Sequence, residues 1–300
     1  DRAINLHLSL LDRKELPAPQ RQAIKAELAQ DYLKAGLFDR AEELFSGLDQ
    51  SRYQQPALRA LLEIYTRERE WHRAVKTATE LERVSGIPFR KEIAQFYCEM
   101  AVKSILDQDL HTARHELEMA LDANKNCVRA NMMLGELEAH AKAHKVAIGF
   151  WKRIEFQKPE FLGIVAYKLL QSYRELGELD QGIELLRQYY QQYKLPSLLA
   201  VVFDITLAEQ GADDAVKMAL DELERQPSLQ TLDKLLKARS FQKTASTDIG
   251  VMQQTIRYAI GNRSIYCCDQ CGFKARNFHW QCPACNAWES LPAEPKEIPA

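Results

Sequence analysis

The residues best placed to do chemistry lie near the end of the chain, in YCCDQCGFKARNFHWQCPACNAWES (Tyr266 to Ser290), which holds five of the seven cysteines. Cys268 and Cys271 form one C-x-x-C pair and Cys282 and Cys285 another, with ten residues between the pairs. Two intervening residues let a tight turn aim both sulfurs of a pair at one ion, so this spacing predicts a single tetrahedral four-thiolate metal site. Gly272 and Asn286, which follow the pairs, tolerate the positive φ that the turn needs if its amides are to point at the sulfurs and offset their charge. Cys267 is an alternative first ligand with one residue more in the loop; Cys268 is the better one. The assigned set is Cys268, Cys271, Cys282 and Cys285, holding one ion, zinc or iron. Four thiolates close the first coordination shell, which makes the site structural or at most a carrier of electrons. His279, between the pairs, reads as a non-ligand.

Tyr266, Phe273, Phe278, Trp280 and Trp288 crowd the same segment. Aromatics among basic residues make a platform for single-stranded nucleic acid. Here Arg263, Lys274, Arg276 and Lys296 are balanced by Asp269, Glu289, Glu294 and Glu297; without a positive field, no nucleic-acid partner is expected. The aromatics are expected to pack a miniature core or to dock onto the rest of the chain. So small a fold cannot stand on its own burial, and a metal ion can supply on the order of 10 kcal/mol of apparent folding free energy.

Elsewhere there is no glycine-rich phosphate loop, no H-E-x-x-H and no G-x-S-x-G, and no enzyme is expected. His111 with His115, and His140 with His144, fall at i, i+4 as a pair of ligands on one helix face would, but each lacks a third ligand nearby and reads as helix surface. Cys98 and Cys127 stand far from the cluster and from each other in sequence, and read as buried small residues in a reducing compartment.

The elements that must position the cysteines follow from a repeat. A heptapeptide pattern recurs as DRAINLH (1–7), DRAEELF (39–45), HRAVKTA (72–78), HTARHEL (111–117), KVAIGFW (145–151), DQGIELL (180–186) and DDAVKMA (213–219). Its small third residue is Ala3, Ala41, Ala74, Ala113, Ala147, Gly182 and Ala215, a period of about 34 residues that indicates tetratricopeptide units. Upstream helices show the matching offsets, as in Leu28, Ala29, Tyr32 and Gly36, or Leu169, Tyr173 and Gly177. The small residue lets the second helix of a pair lie against the first. Gly36 and Gly177 are expected to end first helices in a left-handed turn, and Pro159, Pro196 and Pro227 to mark unit ends. The expected fold class is all-α: a superhelical tetratricopeptide solenoid with a small C-terminal four-cysteine domain. Its parts are a repeat array over 1–228, a closing helix pair over 229–262, a metal-binding domain over 263–292 and a tail over 293–300. Ser246 or Thr247 should cap the last helix, and Gly261 with Asn262 should stop it. DRAINLH matches the second helix of a unit, so the chain is expected to be a fragment with further helix upstream. With 46% hydrophobic and 27% charged residues and a net charge of −2, the composition is that of a soluble globular protein. Leu198 to Ala208, the longest nearly apolar run, is too short to span a bilayer.

The combination of these repeats with CxxCGF…W.CPxCxAW resembles the lipopolysaccharide assembly protein family of Gram-negative bacteria. The residues that carry it are Cys268, Cys271, Gly272, Phe273, Trp280, Cys282, Pro283, Cys285, Ala287 and Trp288, with DRAINLH, DYLKAGLFDRAEELF (31–45) and EIAQFYCEMA (92–101). The resemblance implies a rubredoxin-like metal domain ligated by Cys268, Cys271, Cys282 and Cys285. It also implies an anchor outside this fragment that places the protein on the cytoplasmic face of the bacterial inner membrane. Implied partners are a membrane-bound ATP-dependent protease and the deacetylase that commits material to lipid A, with other inner-membrane lipopolysaccharide regulators possible. The implied function is a non-enzymatic adaptor promoting degradation of that deacetylase. The competing readings are a rubredoxin-type electron-transfer protein and a zinc-ribbon nucleic-acid-binding protein.

Overall fold

The computed structural model describes residues 2–13, 15–48, 52–242, 248–261 and 266–294. Ser246, Thr247 and Asn262, expected at the ends of the last helix, lie outside them, as does the tail from 295 onward.

The chain forms two compact units, Asp1–Ala130 and Asn131–Ala300. The first holds α1 (Arg2–Leu11) and the antiparallel pairs α2 (Ala18–Lys34) with α3 (Phe38–Ser46), α4 (Gln54–Glu68) with α5 (Trp71–Ser85), and α6 (Arg90–Leu106) with α7 (Leu110–Ala123). The second is built on most of α8 (Val128–His140), α9 (His144–Lys152), a short α10 (Ile154–Gln157) and a 3-10 turn at Pro159–Phe161. It continues with the pairs α11 (Leu162–Glu175) and α12 (Leu179–Tyr193), α13 (Pro196–Glu209) and α14 (Ala212–Arg225), and α15 (Leu229–Ser240) and α16 (Ile249–Gly261). Two short strands, β1 (Tyr266–Cys267) and β2 (Lys274–Ala275), pair antiparallel near the cysteines. No helix among the described residues is long and apolar enough to cross a membrane.

The repeat pattern translates into packing as its spacing predicts. Ala41, Ala74, Ala113, Ala147 and Ala215 are wholly buried, whereas Ala3 is exposed. Gly182 takes the same place because a Cβ there would stand 2.8 Å from Tyr173 of the partner helix. In the α8/α9 pair the exchange runs the other way. A Cβ on Gly135 would meet the Trp151 indole nitrogen at 2.2 Å, so the glycine makes room for a buried tryptophan whose Nε1 donates to the Met132 carbonyl at 3.2 Å.

The turns inside the pairs from α2/α3 to α13/α14, all among the described residues, each contain a residue with positive φ. Gly36 and Gly177 do so as expected, and Gly211, Arg69, Gln108 and Lys142 do so as well. In five of these turns, those at Gly36, Arg69, Gln108, Lys142 and Gly177, the next amide donates back five residues, for example Leu37 to Tyr32 at 2.9 Å and Glu70 to Tyr65 at 2.9 Å. That bond satisfies a carbonyl the helix end would leave open.

One detail differs from expectation. His140 closes α8 and His144 opens α9, so they share no helix face; His144 instead lies 3.2 Å from the Ser172 hydroxyl. Cys98 and Cys127, distant in sequence, are both fully buried with sulfurs 3.8 Å apart, a non-bonded contact far longer than a disulfide. Burial, and next the neighbouring thiol, pushes Cys98 well above the usual cysteine range, so it packs as a neutral thiol.

Candidate metal centre

The two cysteine pairs sit in loops of one design. In the first, the Gly272 amide donates to the Cys268 carbonyl and the Cys268 amide to the Phe273 carbonyl, both at 2.9 Å; in the second, Asn286 to Cys282 and Cys282 to Ala287 repeat the same offsets and distances. Gly272 has φ +76° and Asn286 φ +59°, the conformation their types allow. Each loop is closed by a small β contact, β1 with β2 around the first and a Gln281–Trp288 bridge around the second.

This framework brings Cys268, Cys271, Cys282 and Cys285 together, their sulfurs all within 4.8 Å of one another. Cys268 to Cys285 is 3.8 Å and Cys271 to Cys282 is 3.7 Å. A tetrahedral ion with metal–sulfur bonds of about 2.3 Å sets its sulfurs about 3.8 Å apart, so the donor set fits such an ion. Cys267 is not in the group; its sulfur lies 3.6 Å from the Gly272 carbonyl. Cys268 and Cys282 face the domain interior, whereas Cys271 and Cys285 are exposed.

The electrostatics call for a cation. The Ser290 hydroxyl, 3.3 Å from the sulfur, is the largest influence on Cys268 and helps bring it down to about 6. At Cys271 the Phe273 amide favours the thiolate, but burial and the other three sulfurs outweigh it and push the thiol up to about 12. Four thiolates this close repel one another, and a divalent ion removes the repulsion. Such an ion would supply the bonds that hold the two loops together.

The five aromatics divide between two tasks. Tyr266 and Phe273 pack against a core of Cys268, Ala275, Cys282 and Leu291, and Trp288 is buried. Trp280 and Phe278 reach the repeat helices. Trp280 stacks on Phe161 with ring centres 5.3 Å apart and planes within 6°, and Phe278 meets Phe161 edge-on at 5.8 Å. Lys158, just before the 3-10 turn, pairs with the nearly buried carboxylate of Glu289 at 2.5 Å. Glu294 receives the Ser197 amide at 3.1 Å and also the Ser197 hydroxyl. Leu195, at the head of α13, offers no side-chain cap. A carboxylate from 97 residues downstream thus serves the helix N-terminus, where an anion is favoured.

Lys158, Phe161 and Ser197 carried no sequence signal, since nothing in a repeat marks which loop another segment will touch. Glu289 and Glu294 entered the sequence reading only as charges.

Residues 266–293 match the family of the rubredoxin metal binding domain. Along 295 residues the chain is 29% identical to lipopolysaccharide assembly protein B of Escherichia coli K12, covering 97% of this chain and 76% of that protein. The Haemophilus influenzae protein of the same name is 26% identical over 295 residues, with 97% and 74% covered. Among solved structures, MamA matches with a TM-score of 0.37 and 16% identity over 58% of this chain and 92% of its own. The tetratricopeptide protein YrrB matches with a TM-score of 0.36 and 13% identity over 64% and 94%. At such scores it is the helix-pair pattern itself that identifies the fold.

Proposed function

We propose that this chain is a non-enzymatic adaptor in lipopolysaccharide biosynthesis, its helix pairs and metal domain making contacts through which a membrane-bound ATP-dependent protease degrades the deacetylase committing material to lipid A. The observation that carries this reading is the likeness to lipopolysaccharide assembly protein B, which runs through both repeats and metal domain over 97% of the chain. The closed four-thiolate shell supports it, since no coordination position is left for substrate or activated water. The setting proposed is the cytoplasmic face of the inner membrane, with an anchor outside these residues. Capture with the full-length protein should recover both protease and deacetylase, and its deletion should raise deacetylase levels. Recovery of neither, or an unchanged level, would sink the proposal.

A second reading, electron transfer through an iron centre, is favoured by the exposure of Cys271 and Cys285, which would shorten the path to a redox partner. Elemental analysis with a visible spectrum separates the two: a colourless protein with one zinc removes the redox reading.

A further inference from the structure

The four-cysteine domain and one helix crossing meet at a single point. Gly163, in the first turn of α11, lies so close to α13 that a Cβ on it would fall 1.8 Å from the Ser197 hydroxyl and 3.2 Å from the Ser197 carbonyl carbon. The absence of a side chain at Gly163 is therefore what lets these first helices of successive pairs approach. Both sides of the crossing are held by the metal domain. Ser197 gives its amide and its hydroxyl to Glu294. Phe161, two residues before Gly163, lies under Trp280, and Lys158 pairs with Glu289.

The groups that make these contacts depend on the cysteine loops for their positions. Trp280 precedes Cys282 by two residues and Glu289 follows Cys285 by four; the Glu289 amide donates to the Trp280 carbonyl at 2.7 Å, which binds both to the second loop. The Asp269 amide donates to the Ser290 carbonyl at 2.8 Å and ties that loop to the first. Two of the four residues in its buried core cluster, Cys268 and Cys282, are themselves members of the thiol group, so the gathered thiolates are the main support that keeps Trp280, Glu289 and Glu294 in place.

We infer that the metal domain is a staple across the α11–α13 crossing, so that metal occupancy and the close approach of these two helices are coupled in both directions. Release of the ion frees the second loop and with it the grip on Phe161 and Ser197. Forcing the helices apart moves Ser197 off Glu294 and weakens the loops that hold the ion. Linkage makes the two effects equal in free energy. The array then has one joint whose geometry answers to metal, whether the chain serves as an adaptor or as an electron carrier.

The test uses the full chain loaded with one zinc ion, following equilibrium zinc transfer to a chromogenic chelator and amide hydrogen exchange. Ser197→Ala, Phe161→Ala and Gly163→Ala should each weaken zinc affinity, and so raise release to the chelator, by about fivefold or more, the lower end of ordinary coupling. Leu81→Ala, a cavity in the other unit, should leave release at the wild-type level. Stripping zinc should accelerate exchange by about tenfold or more in residues 158–164 and 196–200 and leave α4 and α5 unchanged. If Gly163→Ala does not fold, the other two variants carry the test. The inference is overturned by unchanged release in Ser197→Ala and Phe161→Ala, by an equal rise in Leu81→Ala, or by exchange at the crossing that is indifferent to zinc.

Discussion

The helix pairs and the four-cysteine domain reach order by opposite routes. In the pairs, stability is spread over many alike contacts: a small residue, alanine in five pairs and Gly182 in another, large apolar residues around it, and a left-handed residue in the described turns from α2/α3 to α13/α14. The described residues of the C-terminal domain form two strands of two residues each and a small core cluster of Cys268, Ala275, Cys282 and Leu291, with Trp288 also buried, far below what burial alone needs to hold a fold. Its order is concentrated in one cluster of sulfurs. A distributed structure should lose stability in proportion to what is removed, whereas a concentrated one should fail as a whole.

The largest expected effect breaks the two regions apart. Replacing Cys282 and Cys285 by Ser, or stripping the ion with a chelator, should remove on the order of 10 kcal/mol of apparent folding free energy from residues 266–294. Amide NMR dispersion there should collapse while far-UV helical signal persists. Loss of the helical signal as well would mean that the array too depends on the ion for its fold. Next in size, Trp151→Ala empties the space opposite Gly135 and removes the bond to Met132. It should cost about 3–5 kcal/mol, read from denaturant unfolding, with zinc content unchanged. A cost near zero would show that the array, too, has its stability elsewhere.

The same contrast explains what was legible in the sequence. The metal set could be read because ligand chemistry restricts both residue type and spacing. The helix pairs could be read because the small residue recurs in phase, even though Gly182 and Gly135 solve the crossing in different ways. What stayed hidden are contacts between segments far apart in sequence. Phe161 under Trp280, Ser197 on Glu294 and Cys98 against Cys127 obey no period, and each involves a residue of ordinary type. The left-handed turns were half visible: Gly36 and Gly177 announce themselves, while Arg69, Gln108 and Lys142 adopt the same φ without a residue type that favours it.

Those turns give the next prediction within the array. Placing Cβ in a left-handed conformation costs about 1–2 kcal/mol, partly offset by the lower backbone entropy of a non-glycine residue when unfolded. Gly36→Ala should therefore destabilise by about 1 kcal/mol, and Arg69→Gly should stabilise by about 0.5–1 kcal/mol. Opposite signs at equivalent positions would sharpen the picture of additive, repeated units. Equal signs would show that neighbouring contacts, such as the stacking of Arg73 over Tyr65, dominate the turn.

The smallest expected effect concerns the seam between the two regions. Burial raises the Glu294 carboxyl above its usual range; the hydroxyl and amide of Ser197 pull it back in part, and Glu160 pushes it up further. Tyr266, which also feels this carboxylate, has its own hydroxyl pushed up by burial. A carboxyl with a raised folded pKa stabilises docking most fully below its unfolded value, about 4.3. That contribution is lost as pH rises through the higher folded value. The thiolates respond in the opposite sense, since acid protonates them and releases the ion. Glu294→Gln separates the two, because it keeps a hydrogen-bonding side chain at Ser197 and does not titrate. With zinc bound, the midpoint of seam opening, followed by Trp280 fluorescence, should fall in the wild type relative to the variant as pH rises from the mildly acidic range toward 8. Parallel profiles would assign the whole pH dependence of the seam to the metal site and leave Glu294 a helix cap alone.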